Sequence, residues 1–174
     1  MPRAKKKIKF RERGYERTIP SHNYLKHWRV VKYWVKKKYE LSEADLEMLL
    51  FLYDEGLWGW RDFDDFQSIY PWDKQRFYRL KENGWIREWR KRDSWRNIEA
   101  LYEISAKGRR MCTEVYKKLS GETDFSEVPR KNPVFKRKEY TDKVYSTRMA
   151  KINKANRIER LRHSHELPER AAGR

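Results

Sequence analysis

The stretch from Arg79 to Trp95, RLKENGWIREWRKRDSW, concentrates side chains that bind phosphates and bases. Arg90, Lys91, Arg92 and Arg96 fall within seven residues, around Trp95. Guanidinium and ammonium groups neutralise phosphates and release counterions, and an arginine inserted into a minor groove senses its width. Three roles stand open for Trp95: stacking on a base, packing on a protein partner, or folding back onto its own hairpin. Just upstream, Trp72, Lys74, Gln75, Arg76, Tyr78 and Arg79 fall on the outward side of an expected helix. Arg binds guanine and Gln binds adenine through paired hydrogen bonds, so these residue types can read base edges. A solvated helix face has the same composition, and Tyr78 also suits the edge of a core.

Catalytic chemistry finds no comparable cluster. His163 and His165 lack the further spaced ligands of a zinc site. Asp64 and Asp65 have no matching His, Lys or metal-binding group. The chain contains no glycine-rich phosphate loop and no strand-to-helix nucleophile turn. The expectation is a non-enzyme with no metal and no cofactor. The lone cysteine, Cys112, excludes an internal disulfide and suits a reducing, cytoplasmic setting. No apolar run approaches the roughly 20 residues needed to span a bilayer, so no membrane partner is expected.

The formal charge of the 174 residues is +17, with a pI of about 9.9, which favours a polyanionic partner. That charge is unevenly placed. Residues 1–40 carry +11, residues 41–122 carry −1, and residues 123–174 carry +7. A neutral folded centre flanked by basic extensions is expected. Phe10, Tyr15, Tyr140 and Tyr145, interleaved with the basic residues of those extensions, could stack on exposed bases.

Hydrophobic periodicity supplies the elements that must hold these residues. Residues 1–20 read as a basic arm. A first helix opens at Pro20-Ser21, with Tyr24, Trp28, Val31 and Val35 on one face. Leu25, Val30, Tyr33 and Trp34 widen that face, predicting burial on two sides, the second by a partner subunit. Ser42 caps a second, central helix that Gly56 ends. A short third helix over DFDDFQSIY turns Phe63, Phe66 and Ile69 inward. A fourth starts at Pro71, buries Phe77 and Leu80, and stops at Asn83-Gly84. WIREWRK and NIEALYEI then alternate as two strands about the turn RDSWR, with Ile98, Ala100, Tyr102 and Ile104 on one face. Ser105 caps a further helix with Met111, Cys112, Val115 and Leu119 inward. Residues 122–138 read as a linker, and residues 139–174 as a basic helix and tail with a thin apolar edge of Val144, Tyr145, Met149 and Ile152.

The fold class expected is mainly α with a small β-hairpin. In this order, LSEADLEMLLFLYDEG, RLKENGWI and LYEISAKGRR resemble the MarR-type winged helix-turn-helix regulators over residues 21–121. The resemblance implies that the helix ending at Gly84 enters a DNA major groove and that residues 90–96 form the wing. It also implies a homodimer through the helix at 21–38. The wing departs from the family: Asp-x-Arg is replaced by Asp93-Ser94-Trp95-Arg96, which displaces or removes the family's internal ion pair. Residues 41–73 also hold nine acids and one base, so Asp62, Asp64 and Asp65 would oppose phosphates. Two functions are expected from these features. The first is a double-stranded DNA-binding transcriptional regulator. The alternative is a structural component of a nucleoprotein or virion-like assembly, docking protein or RNA, with the arms held by the larger particle.

Overall fold

The computed structural model describes residues 23–70, 72–96 and 98–171, with side chains as far as residue 162. The expected arm over residues 1–20 and the side chains of His163 and His165 lie outside this description. Helix α1 spans Leu25–Tyr39, α2 Glu43–Glu55, α3 Trp60–Ile69, α4 Lys74–Glu82 and α5 Ala106–Leu119. Strands β1 (Leu57–Trp58), β2 (Ile86–Arg90) and β3 (Leu101–Ile104) form an antiparallel sheet in the order β1-β3-β2. A single 3₁₀ turn at Pro133–Lys136 precedes the last helix, α6, at Tyr140–Ala171. The fold is mainly α with a small sheet: a winged-helix arrangement of helices followed by a hairpin, extended by α6.

Local chemistry explains the boundaries. The Ser42 hydroxyl accepts from the Asp45 amide at 3.2 Å while the Asp45 carboxylate accepts from the Ser42 amide, also at 3.2 Å, a reciprocal cap that starts α2. Gly56 and Gly84 take φ of +76° and +71°, left-handed conformations that a side chain would strain. Ser105 caps α5 through the Gly108 amide and donates to the Gly84 carbonyl at 2.7 Å, so one hydroxyl joins the end of α4 to the start of α5. Gly108 permits that approach: a Cβ there would lie 2.8 Å from the Trp85 carbonyl oxygen.

Leu46, Met48, Leu49 and Leu52 of α2 are buried at the centre. Ala100, Tyr102 and Ile104 line the inner side of the second wing strand with Ile98 partly buried, and Met111, Cys112, Val115 and Leu119 face inward from α5, as their spacing predicts. Trp60, Phe77 and Tyr102 meet ring to ring beneath the sheet, with centroids 4.9 to 5.8 Å apart. β1 escaped periodicity because it has two residues, Leu57 and Trp58, and exists only through pairing with Glu103 and Tyr102. Three local expectations are corrected. α4 starts at Lys74, capped by the Asp73 carboxylate on the Arg76 amide, rather than at Pro71, which lies outside the described residues. Ile69 is exposed, because Phe66, Tyr70 and Trp72 already surround Phe51. Tyr24 and Leu25 are exposed at the start of α1, ahead of the first core contact.

The larger correction concerns residues 122–138. They are a packed part of the domain, not a linker: Phe125, Asn132 and Val134 are buried. α6 then lies along the second side of α1, so that side is covered from within the chain. Tyr33 stacks on Tyr145 at 4.0 Å and donates to Asp142 at 2.7 Å, and Lys37 pairs with Glu139 at 2.8 Å. The buried face of α6 combines Met149 and Ile152 with the polar Asp142, Ser146, Asn153 and Asn156 at helical spacing. The apolar edge expected from periodicity is there, with Met149 and Ile152 buried and Val144 and Tyr145 partly so. The polar residues beside it carry no such signal, and hydrogen bonds offset the cost of burying them. Asn153 accepts from the Phe125 amide at 2.8 Å and donates to the Phe125 carbonyl at 2.9 Å.

Asn153→Ala leaves both buried backbone groups of Phe125 unpaired and is expected to cost about 2–4 kcal/mol. Lys154→Ala, on the exposed side of the same helix, should stay within about 0.5 kcal/mol. Urea unfolding checks this, and an unchanged midpoint in the Asn153 variant would mean that the segment folds apart from the rest.

Candidate nucleic-acid interface

The structure divides the eleven candidate residues into two groups. Those of the helix-turn-helix face are largely engaged by the protein itself. Trp72 is corrected from an outward position: it is buried, stacked on Tyr70 at 4.8 Å and set edge-on to Phe51 at 5.1 Å. Its carbonyl accepts from the Gln67 side chain at 2.6 Å. It precedes α4 rather than riding on it, and it anchors the turn between α3 and α4.

On α4, every cationic candidate faces a carboxylate. Arg76 and Arg79 both donate to Oδ1 of Asp45 at 2.7 Å, and Lys74 lies 3.0 Å from Asp64. Burial raises the Asp45 pKa, but the hydrogen bonds from Ser42, Arg79 and Arg76 outweigh it and hold the carboxyl below its ordinary value. The charge of Asp45 therefore persists and keeps both arginines. Gln75 and Tyr78 remain exposed, with the Tyr78 ring leaning on Trp60 at 5.7 Å. Of the acids on α3, Asp62 turns back to accept from the Gly59 amide at 2.7 Å and caps its own helix. Asp65 stays exposed.

The wing has the opposite character. Asp93 and Ile98 exchange two backbone hydrogen bonds of 2.9 Å across the loop. The Asp93 carboxylate accepts from the Trp95 amide at 3.1 Å and the Arg96 amide at 3.4 Å, and its second oxygen lies 3.8 Å from Arg96 Nε. Asp93 and Arg96 thus form an ion pair within the loop, and the same carboxylate shapes the turn. Trp95 is 97% exposed, which rules out the folded-back position. The Arg90 side chain donates to the Glu99 carbonyl at 3.3 Å, and among the described residues Arg90, Lys91 and Arg92 have no carboxylate partner. Arg87 and Arg109, close by on the sheet and α5, are both neutralised by Glu103.

Trp89 is a residue that sequence reasoning passed over. The pairing of β2 and β3 shifts between Glu88 and Arg90, a bulge that leaves Trp89 53% exposed. The signal was present: Arg87 and Trp89 alternate with the buried Ile86, so Trp89 is a large apolar ring at an outward strand position. The Cys112 thiol is pushed up to about 12, first by burial and then by Asp54, far from a reactive thiolate. The cleft beside Asp45, about 460 Å³ and lined by Tyr39, Arg79, Trp85 and Lys107, holds the Asp45–Arg79 pair, and Lys107 there donates to the Asn83 carbonyl at 3.1 Å. No helix among the described residues is long and apolar enough to cross a membrane. Comparison with protein-family models, curated proteins and solved structures found no match for this chain.

Asp45→Asn keeps the shape of the cap but removes the charge that two arginines share, and is expected to cost about 2–4 kcal/mol at neutral pH. A carboxyl held below its unfolded pKa stabilises above that value and loses the contribution as pH falls through the folded one. The gap in stability between the two proteins should therefore narrow below about pH 4. Thermal unfolding between neutral and acid pH measures it, and a gap that stays constant would contradict the assignment.

Proposed function

We propose that the chain is a winged-helix DNA-binding protein of regulatory type, similar to MarR-type regulators, that grips nucleic acid chiefly through its wing. The observation that carries this reading is the distribution of pairing. Carboxylates hold Lys74, Arg76 and Arg79 on α4, whereas Arg90, Lys91 and Arg92 stand exposed on a hairpin shaped by Asp93. A polyanion gains most where it need not displace an existing ion pair. Gln75 and Tyr78 are the α4 side chains left to meet a groove. A homodimer through residues 21–38 would have to displace the C-terminal segment from α1, so we assign one wing to each chain as the working unit.

A second reading, a nucleoprotein component with RNA or DNA along its extensions, is favoured by one observation. Lys143, Arg148, Lys151 and Lys154 are all exposed on α6. Removing charge separates the two readings without truncating a domain that needs its C-terminal segment.

Replacing Arg90, Lys91 and Arg92 together by Ala should reduce the slope of log affinity against log salt by about 0.9 for each phosphate that the wing no longer neutralises. Gln75→Ala should leave that slope unchanged. Duplex titrations over a range of salt check this. If the wing variant keeps the native slope and the corresponding α6 variant, with Lys143, Lys151 and Lys154 changed, loses it, the second reading replaces the first.

A further inference from the structure

The wing carries more than charge. Trp95 is 97% and Trp89 53% exposed, and neither ring contacts another aromatic ring or cation among the described residues. The chain's other described tryptophans are buried or partly buried. Two indoles held in water on one hairpin, beside Arg90, Lys91, Arg92 and Arg96, combine the two elements of single-strand recognition: stacking platforms and a positive track for the backbone. The presentation is built rather than incidental. The bulge between Glu88 and Arg90 leaves Trp89 outward, and the bonds of Asp93 to Ile98, Trp95 and Arg96 fix the turn that displays Trp95.

From this we propose that the wing binds unpaired bases, so that the preferred ligand is nucleic acid with a single-stranded or frayed segment rather than a closed duplex. The proposal rests on the nucleic-acid reading above and names its substrate class. In an intact duplex each base face is covered by its neighbours. An indole finds a free face only at an end, a gap, a bulge or a single strand. α4 agrees: it would have to enter a major groove, yet Lys74 is already bound to Asp64 and Arg76 and Arg79 to Asp45, with Asp65 and Asp73 exposed nearby. Arg90 to Arg92 follow the phosphates while Trp95 takes a base face, and Trp89 offers a second.

The test uses the full chain and three DNA probes: a blunt duplex, the same duplex with a single-stranded extension, and the extension alone. The extended duplex and the single strand should bind roughly tenfold or more tightly than the blunt duplex and quench tryptophan fluorescence. Trp95→Ala should remove most of that preference and quenching, and Trp95→Phe should restore much of the affinity. Because Trp95 touches no core residue, both variants should unfold at the native temperature. Equal binding of all three probes, unaltered by Trp95→Ala but weakened by loss of Arg90, Lys91 and Arg92, would overturn this proposal while leaving the wing as a phosphate-binding element. Binding of none of the probes would overturn both, and would leave Trp95 as a contact for a protein partner.

Discussion

Trp34 is the residue on which the rest of the structure depends, because it is where α1 meets both halves of the chain. Its ring stands edge-on to Tyr39 at 5.7 Å and to Phe125 of the C-terminal segment at 6.0 Å, with the Lys38 and Lys118 ammonium groups 4.8 and 4.9 Å away. Glu114 joins the same knot, accepting from Lys38 at 2.9 Å and Tyr39 at 2.6 Å. Burial drives the Lys118 pKa down, and its ammonium finds the Asp124 carbonyl at 3.1 Å. A buried lysine needs such an acceptor, and here the acceptor comes from the segment beyond α5. Winged-helix domain and C-terminal segment are therefore one folding unit, and the side of α1 that could have served a second subunit is covered by its own chain.

The same rule, that a cation close to the core is held by a carboxylate or carbonyl, sorts the surface. Glu103 takes Arg87 and Arg109, Asp45 takes Arg76 and Arg79, and Asp124 takes Arg157 and Arg160. Among the described residues, Arg90, Lys91 and Arg92 on the wing and Lys143, Lys151 and Lys154 on α6 stand exposed outside such pairs. A charge count alone cannot make that distinction, because α4 and the wing are both basic in sequence.

The elements of the central domain were legible because each has a local signature: Ser42 with Asp45, Asn83-Gly84, and Ser105 ahead of Gly108. What was hidden depended on distant partners. Trp72 looked like a helix-face residue until Tyr70 and Phe51 closed over it. Arg76 and Arg79 looked available because Asp45 lies more than thirty positions away in the chain. The stretch around Phe125 and Asn132 reads as a linker on its Gly and Pro content. Its packing partner is a helix whose thin apolar edge was legible, but the buried Asp142, Ser146, Asn153 and Asn156 that complete the face give no hydrophobic pattern. The hairpin lies where the alternating pattern expected it, and the structure adds the exposure of Trp89 and the pair of Asp93 with Arg96.

The central claim, that the wing rather than α4 meets nucleic acid, is tested most directly by nuclear magnetic resonance of side-chain N–H groups during titration with DNA. Each indole and guanidinium Nε–H reports its own surroundings, as does the Gln75 amide. Trp95, Trp89, Arg90 and Arg92 should shift first and furthest, while Arg76 and Arg79 keep the resonances set by Asp45. Large shifts at Gln75, Arg76 and Arg79 with Trp95 unmoved would contradict the claim.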